Sequence, residues 1–333
     1  MELSDSEILR IIETQDSEEI ELLFARARKV REEHYGRGVY FRGLIEFTNY
    51  CKNDCYYCGI RCSNKNIERY RLSLEEILGC CREGDKLGFK TFVLQGGEDP
   101  YFTAERVTEI ISAIRQEFPE HAITLSIGER PAADYEIFFR AGANRYLLRH
   151  ETASQDHYAK LHPPVMSLDE RKQCLRNLKK IGYQAGAGFM VGTPHQTPEC
   201  LLQDIRFLEE LQPQMVGIGP FIPQKDTPFC DYPPGNLDTC LKMLAISRLI
   251  LPKALIPATT AMGTIAPNGR ELALNSGANV VMPNLTPVAM RKLYLLYDDK
   301  ICIGDDAVKC RFCMDGRILS AGYEPDMSRG DAK

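Results

Sequence analysis

The chain has 333 residues, 44% hydrophobic and 26% charged, and its 41 basic and 46 acidic side chains give a net charge of −5. That composition excludes a disordered or collagen-like chain and offers no basic surface for nucleic acid. The acidic start MELSDSEILRIIETQDSEEI is not a signal peptide, and no stretch approaches the roughly 18 apolar residues of a membrane span, so a soluble cytoplasmic protein is expected.

Residues 5–35 carry apolar and acidic residues at helical spacing and predict N-terminal helices. After Gly38 short apolar runs alternate with longer amphipathic segments. The runs are Tyr40–Thr48, Thr91–Gly97, Ala122–Gly128, Arg145–Thr152, Gln184–Gly192, Met215–Pro223, Leu255–Gly263 and Val280–Thr286. Helix starts lie between them: Ser73 with Glu76 and Ser167 with Glu170 have capping-box spacing, and Thr197-Pro198 reads as an N-cap and first helical residue. Strands alternating with helices imply a parallel sheet, and eight such units imply an α/β fold of the complete (β/α)8 TIM-barrel type. A doubly wound sheet is the alternative. The expected divisions are helices at 1–37, a barrel over 38–290 and a C-terminal segment over 291–333, its tail after Gly322 frayed.

A barrel places its chemistry just past the C-terminal ends of its strands. Polar or special residues gather there: Thr48 and Cys51, Gln95 to Glu98, Ser126, Arg149 to Glu151, and Thr259 with Thr260. Thirteen cysteines, an odd number without a secretory signal, point to free thiols, catalytic groups or metal ligands rather than disulfides. Cys51, Cys55 and Cys58 read CxxxCxxC. Three thiolates in eight residues can converge on an iron–sulfur cluster and leave one iron open for chemistry. A zinc site completed by Cys62, or a loop of free thiols, are the alternatives. Cys302, Cys310 and Cys313 form a second triad, C-x7-C-x2-C, expected near the barrel mouth but outside its cavity. Cys80, Cys81, Cys174, Cys200 and Cys240 fall in helical segments and read as buried thiols, as His150 reads as a structural histidine; Cys230 has no assignment. Arg42 shares a strand face with Leu44 and Glu46 and is expected to point into the barrel, where a buried arginine needs an anion or a carboxylate partner such as Glu46.

CxxxCxxC with Tyr57 before its third cysteine, followed one strand later by Gln95-Gly96-Gly97-Glu98, resembles the radical S-adenosylmethionine (SAM) superfamily. The segments IEFTNYCKNDCYYCGIR, VLQGGEDPY, RYLLRHETA, GAGFMVGTP, MVGIGPFIP, IPATTAMGT and GANVVMPN extend the likeness to the [FeFe]-hydrogenase maturase family HydE, with biotin synthase and methylornithine synthase as relatives. The resemblance implies a [4Fe–4S] cluster on Cys51, Cys55 and Cys58 and reductive cleavage of SAM to a 5′-deoxyadenosyl radical. It implies cofactor contacts from Tyr57, Gln95, Gly96, Gly97, Glu98, Ser126, Glu151 and Arg171, with the plain alternatives that Glu151 pairs with Arg149 and that Arg171 is a solvated helix residue. It implies a substrate- and anion-binding cavity near Arg42, Arg149, Thr259 and Thr260, and a second [2Fe–2S] or [4Fe–4S] cluster on Cys302, Cys310 and Cys313. The expected role is assembly of the hydrogenase [2Fe] subcluster from a small organometallic species bearing iron, cysteine, CO and cyanide. The implied partners are the maturases HydG and HydF and a ferredoxin or flavodoxin donor, around a monomer. The rival readings are a mutase or sulfur-insertion enzyme of the methylornithine synthase or biotin synthase type, and a non-catalytic Fe–S carrier.

Overall fold

The computed structural model describes residues 3–333. Helices α1 (Asp5–Glu13) and α2 (Ser17–Tyr35) precede strands β1 (Gly38–Phe41) and β2 (Gly43–Thr48). After a cysteine-bearing loop come α3 (Leu74–Lys86), β3 (Thr91–Gly96), α4 (Ala104–Glu117), β4 (Ala122–Ser126), α5 (Ala132–Ala141) and β5 (Arg145–Leu147). Then follow α6 (Gln155–Leu161), α7 (Leu168–Ile181), β6 (Gln184–Val191), α8 (Pro198–Leu211), β7 (Met215–Pro220) and α9 (Leu237–Ile250). The chain ends with α10 (Thr260–Ile265), α11 (Gly269–Asn275), β8 (Val280–Val281), α12 (Val288–Arg291), α13 (Ala307–Ser320) and β9 (Glu324–Asp326).

The architecture is α/β. A six-stranded parallel sheet runs in the order β2-β3-β4-β5-β6-β7, beside a three-stranded parallel sheet ordered β8-β1-β9. Each step along the large sheet crosses over through at least one helix, and because neighbouring strands follow chain order the helices pack on the outer face, while the inner face packs in the interior and lines the cavity toward its C-terminal end. That is why β2 and β7 are buried at every position rather than alternating. Isolated parallel bridges, Met215 to Leu255, Pro257 to Val280 and Leu44 to Asn284, link the edges of the two sheets.

Helix starts follow the local chemistry. Ser73 and Glu76 form a reciprocal capping box on α3, whereas at α7 only Ser167 accepts, from the Glu170 N–H. Thr197 occupies the N-cap of α8, with Pro198 in its first turn, but makes no side-chain cap bond. Three expectations change. The run Tyr40–Thr48 divides at Arg42 into two strands. The run Leu255–Gly263 forms only single bridges before turning into α10, and the eighth shrinks to Val280–Val281. Pro257 and Pro283 interrupt these segments, since proline has no N–H for a ladder bond.

The tail after Gly322 is not frayed. Strand β9 pairs with β1, and the last residues lie across the N-terminal ends of β3, β5 and β6. The wholly buried Arg145 donates to Asp331 Oδ1 at 2.8 Å and to the Arg329 and Gly330 carbonyls at 2.9 and 3.0 Å. Gln184 also donates to Asp331, at 2.8 Å. A buried guanidinium needs such partners, and the tail supplies them. Among the described residues no helix is long and apolar enough to cross a membrane.

Candidate active site

A cavity of about 390 Å³ opens at the C-terminal ends of the parallel strands. One wall is formed by the loop after β2, which carries Cys51, Cys55, Tyr57 and Cys58. Arg69 shapes this loop by donating to the carbonyls of Asn49, Ile60, Arg61 and Asn64 at 2.5 to 3.1 Å. Arg61 adds a bidentate pair with Asp54 at 2.7 and 2.5 Å. Burial pushes all three thiols up, Cys55 to about 12 despite the opposing charge of Arg171. Thiols in this setting ionise only when a cation compensates them, which is the chemistry of an iron–sulfur ligand set. Tyr57 donates its hydroxyl to His162 Nε2 at 3.0 Å, because His162 Nδ1 faces the Tyr158 carbonyl at 3.1 Å. Cys62 flanks the loop, its N–H bonded to the Asn53 carbonyl.

Gln95, Gly96, Gly97 and Glu98 leave β3 directly against this loop and line the same cavity. A Cβ at Gly97 would lie 2.3 Å from the Tyr50 carbonyl oxygen and 2.7 Å from Cys51 Cβ, so only glycine lets the two segments approach. Gly97→Ala is therefore expected to displace Cys51 while leaving the strands intact. A misplacement near 1 Å costs on the order of 100-fold in rate, to be read as deoxyadenosine formation beside iron content. An alanine variant with wild-type turnover would disprove the close-packing argument.

Glu98 is buried, and its carboxylate accepts from the Glu129 N–H at 3.0 Å and lies 3.4 Å from Lys52. Arg171, near the start of α7, is buried rather than solvated. Its Nε sits 2.8 Å from Glu129, its Nη2 lies 3.8 Å from Glu98, and its Nη1 donates to the Arg149 carbonyl at 3.0 Å. Burial holds the Glu129 carboxyl above its usual range, with the Arg171 charge opposing. Ser126 lines the cavity from the end of β4, and Arg149 and Glu151 from the end of β5. Arg149 and Glu151 approach within 3.2 Å, the plain pairing expected for Glu151, yet the buried Arg149 Nη2 and Glu151 Oε2 are not aligned as a hydrogen bond. Those atoms keep unused donor and acceptor capacity at the cavity wall. Glu151 has φ +67°, a left-handed backbone uncommon outside glycine.

At the far end of the cavity stand Thr259, Thr260, Arg270, Lys300 and the C-terminal cysteines. Thr259 Oγ1 is buried without a partner, and Thr260 Oγ1 accepts from Arg270 Nη2 at 3.2 Å. Arg42 is not brought here. The cavity begins at Leu44 and Glu46 on β2, and Arg42 instead lies deeper, donating to Met215 Sδ at 2.9 Å. Shared parity put Arg42 on the right face, but four residues of strand carry Glu46 about 13 Å farther along the axis. The Arg42–Glu46 pair does not form. Glu46 instead binds Lys300 Nζ at 2.6 Å and accepts from Asn284 at 2.8 Å.

Cys302, Cys310 and Cys313 border this same cavity rather than standing clear of it, with Cys313 exposed to solvent. Helix α13 packs against α11 and β9, leaving Cys310 buried, Cys302 partly buried and Cys313 exposed. Arg270 lies 3.7 Å from Cys302 Sγ and Arg291 lies 3.5 Å from Cys310 Sγ. Of the remaining cysteines, Cys80, Cys81, Cys200 and Cys240 are buried in helices, Cys174 is partly buried and Cys230 is exposed. Sequence reading missed Arg69, Glu129, Arg270 and Lys300. None lies in a spaced motif, and each acquires its partner through tertiary contact.

Residues 45–208 match the family described as the Radical SAM superfamily. The chain is 47% identical over 313 residues, 94% of its length and 89% of the relative's, to the [FeFe] hydrogenase maturase subunit HydE of Thermotoga maritima. It is 35% identical over 326 residues, 97% of its length and 91% of the relative's, to the 3-methylornithine synthase of Methanosarcina acetivorans. The crystal structure of methylornithine synthase (PylB) matches with a TM-score of 0.84 and 30% identity, covering 98% of this chain and 95% of that one.

Proposed function

This chain belongs to the HydE maturase family of the radical SAM superfamily, and from that premise we propose how its cavity serves the maturation of [FeFe]-hydrogenase. It is a radical SAM enzyme. We read the two sheets and their bridges as one closed barrel over 38–290, preceded by the helices of 1–37 and followed by the cysteine segment of 291–333. Cys51, Cys55 and Cys58 would hold a [4Fe–4S] cluster, and their suppressed ionisation fits a cationic group. With SAM bound, that cluster supplies reductive cleavage of the sulfonium to a 5′-deoxyadenosyl radical.

The protein's own part is placement. Gln95, Gly96, Gly97 and Glu98 border the thiol loop, and Ser126, Glu151 and Arg171 present a hydroxyl, a carboxylate and a guanidinium that match the ribose, amino and carboxylate groups of SAM. Tyr57 adds an aromatic wall. Leu44, Leu147, Met190 and Met282 line the interior and exclude water from a reactive intermediate. Arg149, Thr259 and Thr260 would bind the substrate, read as the iron–cysteine–CO–cyanide species. Cys302, Cys310 and Cys313 would hold a second cluster. HydG would supply substrate, HydF would accept product and a ferredoxin or flavodoxin would donate electrons to a cytoplasmic monomer.

The observation that carries this reading is convergence: the cysteine loop, the QGGE turn and the Arg171 and Glu151 side chains, from four separate stretches of chain, share one cavity. The test is hydrogen evolution from apo-hydrogenase with the other maturases, SAM and reductant, with and without the reconstituted protein. Dependence on the protein is expected. Deoxyadenosine without hydrogen would keep the radical enzyme and discard the substrate, and iron binding with neither product would favour a carrier. Methylornithine formation from lysine would favour the other relative. Cys310→Ala is expected to leave SAM cleavage largely intact, since Cys310 contacts Arg291 and the Asp305 carbonyl rather than the CxxxCxxC loop; lost cleavage would overturn the division of labour between the triads.

A further inference from the structure

Glu151 leaves β5 in a left-handed conformation, and its backbone is tied on both sides to β6: its N–H donates to the Gly188 carbonyl at 3.0 Å and its carbonyl accepts from Met190 at 3.2 Å. Such a backbone persists only where the surroundings over-determine it. The surroundings here are a polar pair sealed in an apolar interface. His150 and Asp204, the latter on α8, are both fully buried. Asp204 Oδ1 accepts from the Ala153 N–H at 2.5 Å and stands 3.2 Å from His150 Nε2. His150 Nδ1 accepts from the Gly188 N–H at 3.3 Å, which leaves Nε2 as the protonated nitrogen and fixes one tautomer. The imidazole edge also meets Phe207, ring centroids 4.9 Å apart. Asp204 Oδ2 has no partner. An apolar residue would pack in this interface without that cost, so what Asp204 contributes is its two accepted bonds, one on each side of Glu151.

We infer that Asp204 and His150 are positioning residues that brace the turn 149–153 and thereby aim the Glu151 carboxylate into the cavity. The inference rests on the cofactor reading given above. His150 acts from the face of the strand opposite Glu151, and Asp204 acts from a helix outside the sheet, so neither touches the cavity. Lys172 completes the brace by donating to the Ala153 carbonyl at 2.9 Å. The imidazole stays neutral, because burial depresses its basicity.

The test is a double-mutant cycle on the cluster-reconstituted protein, read as the Kd for S-adenosylhomocysteine, which keeps the amino, carboxylate and ribose groups and lacks the sulfonium. Asp204→Leu is expected to weaken binding by about 10- to 100-fold, the range seen when a supporting partner of a ligand-binding group is removed. Iron content and the melting temperature report that cluster and fold are kept. Asp204→Asn retains both accepted bonds and is expected to bind nearly as the parent does. In a Glu151→Ala background Asp204→Leu should add nothing, because the brace acts through Glu151. An equal loss in both backgrounds, or a folded Asp204→Leu protein with unchanged Kd, would overturn the inference. If Asp204→Leu does not fold, His150→Phe enters the same cycle with the same two expectations. A parent protein that loads iron and does not bind S-adenosylhomocysteine would instead sink the cofactor reading, and the brace with it.

Discussion

Cys55→Ala is expected to yield a folded protein that no longer cleaves SAM. Cys55 is the central thiol of the loop, lies on the cavity wall and is buried within reach of the charge of Arg171. The loop itself is held by Arg69 and by the Arg61–Asp54 pair, none of which involves Cys55, so its path survives the substitution. What would be lost is one of the three proposed cluster ligands. The effect should exceed the about 10- to 100-fold that follows removal of an outer-shell partner. Iron content, the cluster absorption band and deoxyadenosine formation read it together. A Cys55→Ala protein that retains a full cluster and full cleavage would show that another thiol, with Cys62 the nearest candidate, completes the ligand set.

Arg171→Met should be the most damaging change that leaves every cysteine in place. Arg171 is shared between Glu129 and Glu98, and methionine fills similar space without charge. Removing one partner from a buried ionic group costs about 3–5 kcal/mol, so a depressed melting temperature should accompany lost SAM binding. The pH dependence has a definite sign. Burial already holds the Glu129 carboxyl above its ordinary 4.5, and without Arg171 it rises further. A carboxyl raised in the folded state binds more protons folded than unfolded, so stability falls as pH rises from near 4.5 through the folded value. Denaturant melts across pH 5 to 8 should therefore show Arg171→Met losing ground to the parent as pH increases. Parallel curves would mean that Glu129 and Glu98 are solvated and that the ionic cluster is not what fixes this wall.

Local chemistry makes much of this protein legible in its sequence. The alternation of short apolar runs with capped helical segments is written in the side-chain periodicities of each segment, so the parallel α/β architecture follows from residues near one another in sequence. The CxxxCxxC spacing and the QGGE turn are also local, because a loop that wraps one group must carry its ligands close together. Thr259, Thr260, Ser126, Glu151 and Arg171 were found by their place at strand ends or by family likeness, and they share the cavity.

Other features depended on which distant segments meet. Arg42 has the right parity and the wrong depth, since alternation sets a side chain's face and not its height in the sheet. Glu46 pairs with Lys300, 254 residues away, and Arg171 meets Glu129 across two helices, so neither partner was visible in a window of sequence. The tail from Gly322 reads as a polar, frayed end. It is held because Arg145 is buried at the N-terminal ends of the strands and Asp331 is the carboxylate that pairs with it. The C-terminal cysteines read as peripheral from their spacing after the last strand, and the packing of α13 brings them to the border of the cavity, with Cys310 buried and Cys313 still exposed. Sequence therefore determined the elements and the motif chemistry, which are set by short-range periodicity and spacing. The pairing of buried charges, the depth of each side chain and the docking of the terminus came from tertiary packing, because a buried polar group takes whatever partner the fold brings within hydrogen-bonding distance.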